Sequence, residues 1–330
     1  MIQIKNKNLD KLANQHYERL KSLVNFNDIK NTALFKSSQN YQDIVEYIEK
    51  NVESIIKDQP TKLRNHIEEI SKFEVNLIRH KKKKQQPFTP QQEQENEFIN
   101  ALIKVFDYDK KIDKVAFAKN LKLICCPYCN REYIFKFYDK HHTKNELRTI
   151  AHLDHFYSQI DYPYLALSFF NLIPSCSICN SKFKNQMNFI DIPHLHPYEE
   201  DFNKKAKFTH FFNIPTHANL HHSIFSKERI NLDLKPIDEN DEKTRNTIET
   251  FRLKELYNEH KDIVLELIQK AQIYNESYLD ELMRNYEGSL FKNREDLMRL
   301  ITCGYVNDED LHKRPLSKLI KDISEELELL

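Results

Sequence analysis

Four cysteines in two C-x-x-C pairs constrain the folding of this chain more than any other feature. The first pair is Cys126-Pro127-Tyr128-Cys129. The second is Cys176-Ser177-Ile178-Cys179, followed directly by Asn180. Zn²⁺ takes four thiolates at tetrahedral corners whether or not the ligands are close in sequence. Closing such a site turns the 46 intervening residues into one insertion, and the metal can fold a segment with little core of its own. Redox dithiols are the rival reading, but a redox pair acts alone and leaves the second pair without a role. Cys125 could stand in for Cys126, yet only Cys126 gives the two-residue spacer. Cys303 reads as a buried apolar residue.

Composition narrows the class. The 330 residues are enough for two or three domains. Charged residues make up 30% and hydrophobic ones 40%, an ordinary balance for a water-soluble chain. No apolar run approaches the roughly 20 residues that cross a bilayer, so no membrane partner is expected. Met1-Ile2-Gln3-Ile4-Lys5 lacks the apolar stretch of a signal peptide. The expectation is a cytoplasmic protein, where C-x-x-C pairs favour metal over disulfides. The only glycines are Gly288 and Gly304, and neither lies in a phosphate-binding loop. That argues against a P-loop or dinucleotide fold, so any nucleotide hydrolysis would come from a partner. Residues 1–130 carry 23 basic and 17 acidic side chains (+6), residues 131–230 carry 12 and 10 (+2), and residues 231–330 carry 15 and 23 (−8). A polyanion would be drawn to the first two-thirds, although ordinary variation among solvated faces gives the same split.

Apolar periodicity predicts helices over the first 120 or so residues. The stripes are Leu9, Leu12, Leu20 and Leu23; Ile44, Val45, Ile48, Val52, Ile55 and Ile56; and Leu63, Ile67, Ile70, Leu77 and Ile78. The run from Gln85 to Gln92, with Pro87 and Pro90, reads as a linker or loop. A helix resumes near Glu97, with Phe98, Leu102, Ile103 and Phe106 inward. The basic run Arg79-His80-Lys81-Lys82-Lys83-Lys84 either grips phosphates or is a solvated helix end. From Cys125 to about Pro197 short strands and turns are expected. Lys207–Phe212 and Ile230–Leu234 read as further strands, and helix returns from Asp241. Tyrosine and phenylalanine, 16 and 21 in number, mostly fill the core in a chain without tryptophan.

Between the cysteine pairs, Asp154-His155 falls on an expected strand. Pro163 marks a turn, Tyr164–Ile173 reads as a second strand, and Cys179–Lys184 begins a helix. The polar residues there suit phosphodiester hydrolysis. Asp154 and Asn180 offer hard oxygen ligands for Mg²⁺ or Mn²⁺. His155 can take a proton from water near neutral pH. Lys184, one turn beyond Asn180, can hold a substrate phosphate. Asn171 would brace the loop that sets His155. His152 shares a strand face with Asp154 and either contacts substrate or metal or simply packs. His194 and His196 read as a loop before a turn rather than another metal site. His141-His142 and His221-His222 read as surface residues.

These residues resemble the HNH, or ββα-metal, endonucleases in the form with flanking C-x-x-C zinc knuckles. The likeness lies in Asp154-His155, fifteen residues to Asn171, then eight to Asn180, and it covers about residues 121–185. Many members have histidine where this chain has Asn180; phage junction resolvases of the superfamily have asparagine there. With the helical flanks read from periodicity, the expected fold is an α+β, mainly helical chain, and the resemblance implies a central ββα-metal module in it, stabilised by a Cys₄ zinc site. It further implies cleavage of nucleic acid, with double-stranded DNA as the expected substrate, leaving a 5′-phosphate and a 3′-hydroxyl. Leu172-Ile173-Pro174-Ser175-Cys176 and His196-Pro197-Tyr198 are similar to bacterial antiviral-defence HNH effectors of the Septu-type and retron-linked kinds, which implies an ATPase partner. Three parts are expected: a helical region over 1–120, the nuclease module over 121–197, and a mainly helical region over 198–330. Two other readings stay open. One is a non-catalytic zinc-ribbon module that docks nucleic acid or a partner; the other is an effector silent until its partner licenses it.

Overall fold

A computed structural model describes residues 1–82, 86–139, 146–213 and 226–330. The chain is α+β, about half helical, with small antiparallel sheets. Helices Leu9–Leu20, Gln39–Lys50, Val52–Lys57, Pro60–Ser71, Pro90–Val105 and Lys114–Leu121 dominate the first third. Their buried faces carry Leu20, Ile44, Val45, Ile48, Ile55, Ile56, Leu63, Ile67 and Ile70, as the periodicity predicts. Leu23, Ile78 and Ile103 depart from it and are exposed. For Ile78 the reason is local: the helix stops at Ser71, and Glu74 takes a left-handed φ of 53°. Arg79–Lys82 is therefore irregular chain rather than a helix end; Lys83 and Lys84 lie outside the described residues.

The expected loop around Pro87 and Pro90 is shorter than its composition suggests. Pro90 opens the next helix, since its locked φ suits a first turn and its missing N–H costs nothing there. Thr89 Oγ1 accepts from Gln92 N at 3.2 Å, and the Gln92 side chain accepts from Thr89 N at 3.1 Å. That reciprocal cap satisfies two orphan amides.

Six strands pair as three two-stranded antiparallel sheets among the described residues. Strands β1 (Lys136–Asp139) and β2 (Glu146–Thr149) form one pair. Strands β3 (His152–His155) and β4 (Leu172–Ser175) form the second, with His155 opposite Leu172. The predicted strand over Tyr164–Ile173 is mostly replaced by 3₁₀ turns at Pro163–Leu165 and Phe169–Asn171. An apolar run of this length suits a buried turn as well as a buried strand, and Pro163 takes the first position of the first turn. After β4 comes a π-helical segment, Ile178–Lys184, ended by Asn185 at φ 47°. Strands β5 (Ala206–Phe212) and β6 (Ile230–Pro236) pair over seven residues, close to where the sequence puts them. Among the described residues no helix is long and apolar enough to cross a membrane.

One apolar core runs through the molecule, from Met1 to Leu329. The first residues thread it beside the first cysteine pair, with Ile2 N bonded to Pro127 O at 2.9 Å and Ile4 N to Pro197 O at 2.8 Å. Helix Ser317–Glu326 packs on β5 and carries a buried ion pair, Lys318 Nζ to Asp322 Oδ1 at 2.6 Å. Asp322 also accepts from Phe208 N at 2.9 Å, while Lys318 N donates to Asn130 Oδ1 at 3.0 Å. Both side chains are 2% exposed. We expect Asp322→Ala to cost about 3–5 kcal/mol in urea unfolding, because it strands a buried ammonium. An unchanged midpoint would remove the pair from the stabilising contacts.

Candidate functional site

The two cysteine pairs meet. The Sγ atoms of Cys126, Cys129, Cys176 and Cys179 lie within 4.8 Å of one another, and all four residues are buried. Each pair sits on a tight turn that aims backbone amides at sulfur. Arg131 N lies 3.4 Å from Cys129 Sγ, and Cys179 N lies 3.4 Å from Cys176 Sγ. Asn130, at φ 51°, reverses the chain after the first pair, and its N bonds to Cys126 O at 2.8 Å. Burial drives the Cys126 thiol far above its ordinary range. Hydrogen bonds from Cys126 and the other two thiols drive Cys176 down. Four sulfurs in one dry spot conflict in this way until a soft dication takes them all. The donor set therefore fits structural zinc. Cys126 rather than Cys125 belongs to the cluster, as the spacing predicts, and Cys125 is buried apart from it. Cys303 is a correction: it is exposed, not buried, at the left-handed end of helix Arg294–Thr302.

Beside the cluster lies a cavity of about 460 Å³ whose lining includes Tyr108, His152, Asp154, His155, Asn180 and Lys184. Strand β3 supplies His152, Asp154 and His155, and the segment Ile178–Lys184 supplies Asn180 and Lys184. The sequence-predicted residues thus converge, but their individual settings differ from one another.

Asp154 is 3% exposed. Tyr128 Oη, from inside the first cysteine pair, donates to Asp154 Oδ2 at 2.6 Å. Lys184 Nζ lies 3.1 Å from Asp154 Oδ1. The Tyr128 ring stacks on Phe251 at 4.6 Å between centroids. Burial, then the Asp154 charge, lifts the Tyr128 hydroxyl well above the usual phenol range, so it is a neutral donor. The cysteine cluster and the carboxylate are consequently joined through one side chain.

His155 is buried, and its ring packs edge-on against Tyr108 at 4.6 Å. Its Nε2 meets Ala166 O at 3.0 Å. A carbonyl oxygen only accepts, so the proton sits on Nε2 and Nδ1 carries the lone pair. Burial lowers the imidazole to about 4 despite the opposing carbonyl bond and the Asp154 charge. It is neutral at ordinary pH.

Asn171 is fully buried. Its Oδ1 accepts from Tyr157 N at 2.7 Å, and its Nδ2 donates to Tyr157 O at 3.1 Å and Leu165 O at 3.0 Å. It ties the chain after β3 to the residue preceding Ala166, whose carbonyl orients His155. Asn180 is half-buried at the cavity edge, with Nδ2 at 3.5 Å from Nδ1 of the exposed His152.

Lys184 does not present the free ammonium that a phosphate contact needs. It is 3% exposed, bonds His155 O at 2.6 Å as well as Asp154, and lies 5.0 Å above the Phe189 ring. The segment that carries it turns it beneath β3 rather than toward solvent. His194 and His196 sit in loop chain: His194 bonds Ile192 O and Thr250 Oγ1, and His196 packs on Phe156. His141, His142, His221 and His222 lie outside the described residues.

Sequence reasoning misses Tyr128 and Tyr108. Tyr128 had a signal, since it lies within the first cysteine pair. Tyr108 had none, because only tertiary packing brings it to His155. Comparison with protein-family models, with curated proteins and with solved structures returns no match for this chain.

Proposed function

We propose that the chain is a metal-dependent endonuclease of the HNH kind, hydrolysing phosphodiester bonds in nucleic acid, with double-stranded DNA as substrate. The observation that carries this reading is the meeting of Asp154, His155 and Asn180 in one cavity beside a four-cysteine cluster. The pair β3–β4 followed by the segment Ile178–Lys184 supports it, since strand, strand and helix is the order that the ββα-metal resemblance implies.

A bound Mg²⁺ or Mn²⁺ would neutralise the scissile phosphate and stabilise the departing oxygen. Asp154 and Asn180 are the oxygen donors that would hold it, a fit to a hard cation that keeps several waters. His155 accepts the proton of the attacking water at Nδ1, and the Ala166 carbonyl steadies the positive ring that results. Tyr128 and Lys184 hold Asp154 in place. Asn171 positions His155 through the Leu165–Ala166 backbone. Cys126, Cys129, Cys176 and Cys179 would hold a zinc ion that anchors the scaffold, apart from the reacting atoms. The likeness to defence effectors adds a setting: an antiviral effector that works with an ATPase partner.

Nicking of supercoiled plasmid in Mg²⁺ or Mn²⁺, absent in His155→Ala, tests the reading; equal nicking by the two proteins would discard it. The alternative is a non-catalytic zinc-ribbon adaptor, and one observation favours it: Asp154 already has two partners, Tyr128 and Lys184. The two readings part at Asp154→Asn, which keeps the shape and removes the charge. The nuclease reading expects loss of metal-dependent cleavage with oligonucleotide binding retained. An adaptor has no such cleavage to lose.

A further inference from the structure

Tyr108 borders a second cavity as well as the polar one. This second cavity, of about 250 Å³, shares Tyr108, Gln159 and Ile160 with the first, so the two are neighbours across these side chains. The second part has apolar walls from Ile103, Phe106, Ile160 and Pro163. Ile103 and Ile160 keep 39% and 41% exposure, which leaves apolar surface open to a ligand. Ala166, whose carbonyl orients His155, lines this part too.

Arg79 stands in the lining of the second cavity, exposed, and it meets no carboxylate among the described residues. Lys81 and Lys82 follow it and are exposed as well. Two carboxylates line the same cavity, and both are committed to lysines. Asp107 lies 3.0 Å from Lys110 and caps the turn Tyr108–Lys111, while Asp109 lies 3.2 Å from Lys114. The guanidinium is thus the cavity's uncommitted charge among the described residues. An apolar wall with a planar, forked cation suits a nucleotide: sugar and base against the isoleucines, and a phosphate on the fork.

Building on the nuclease reading, we propose that this second cavity seats the nucleotide flanking the scissile phosphate, with Arg79 gripping that nucleotide's far phosphate. The exposed Lys81 and Lys82 then lie along the substrate path.

The test measures binding of a short fluorescent DNA duplex without added divalent cation, as a function of salt, with cleavage measured separately. Arg79→Ala should weaken binding about tenfold, as loss of a charge-assisted contact does. It should also lower the slope of log K against log salt by about 0.9, the share of one phosphate contact. Arg79→Lys should restore the slope but only part of the affinity, since it lacks the fork. In turnover, the ratio of kcat/KM on DNA to that on bis(p-nitrophenyl) phosphate, a diester with no flanking nucleotide, should fall about tenfold in Arg79→Ala. Because Arg79 is exposed on irregular chain, an unchanged Tm is expected and shows that the fold is intact.

Unchanged affinity and slope in Arg79→Ala, or a wild-type chain that binds no DNA, overturns the subsite. Loss of binding in Arg79→Ala, beside a wild-type chain that cuts neither alone nor with an ATPase partner, upholds the cavity as a nucleotide-binding site and sinks the nuclease reading. Metal-dependent cutting at the wild-type kcat/KM ratio in Arg79→Ala does the reverse.

Discussion

Withdrawing zinc, or replacing Cys176 with serine, is expected to collapse the centre of this protein rather than trim its stability. Structural zinc sites bind with apparent free energies of about 10–16 kcal/mol near neutral pH, as large as a domain's whole folding margin of about 5–15 kcal/mol. The loss would spread outward because both sides of the molecule are bonded to the first cysteine turn. Tyr257 Oη donates to Cys129 O at 2.6 Å, and Asn130 Nδ2 donates to Leu311 O at 3.0 Å. Leu316 N bonds Asn130 O at 2.6 Å. On the other side Ile2 N bonds Pro127 O. Elemental analysis should find stoichiometric zinc in the purified chain and depleted zinc in Cys176→Ser. Near-UV circular dichroism and limited proteolysis should show tertiary structure lost over residues 121–197. Cys303→Ser is the control, expected to be neutral because that thiol is exposed and apart from the cluster. A Cys176→Ser protein with wild-type zinc content and wild-type Tm would refute the site.

The cysteine cluster was legible because its signal is local: two short spacers and an immediately following asparagine. The N-terminal helices were legible for a similar reason, since their stripes repeat at the helical period. What the sequence hid depends on the third dimension. Tyr164–Ile173 has the composition of a strand, yet its aromatic residues are buried by folding into turns. Pro90 has the look of a linker residue but starts a helix, because Thr89 and Gln92 cap it. Lys184 has the spacing of a phosphate contact but points inward, because Asp154 and the His155 carbonyl are nearer partners. Cys303 has an apolar character, yet a left-handed helix end leaves it at the surface. Spacing therefore picked out residues that share one cavity, and packing decided the contacts of each side chain there.

His155→Ala should abolish metal-dependent cleavage while leaving the zinc cluster loaded. A positioned general base contributes about 10²–10⁴ in rate, which is about 3–5 kcal/mol of barrier. In the proposed mechanism the base is His155 rather than a neighbour. Its Nε2 proton is held by Ala166 O, so Nδ1 must accept. Burial keeps the ring neutral, so Nδ1 holds a free lone pair over the whole physiological range. His152 cannot substitute in place, because it lies three residues back on β3, on the opposite strand face, and is exposed on the rim. The substitution also removes a buried ring packed on Tyr108, so a modest fall in Tm is expected and must be measured beside activity. Asn171→Ala separates the two effects. It leaves the imidazole present but frees the Leu165–Ala166 backbone that aims it. Its cleavage rate should fall, and that fall should shrink when the reaction is run at lower temperature, where the loop is better ordered. In His155→Ala the loss should persist at every temperature at which the protein is folded. Cleavage by folded, zinc-loaded His155→Ala at the wild-type rate would remove His155 from the chemistry and with it the reading of this cavity as a hydrolytic site.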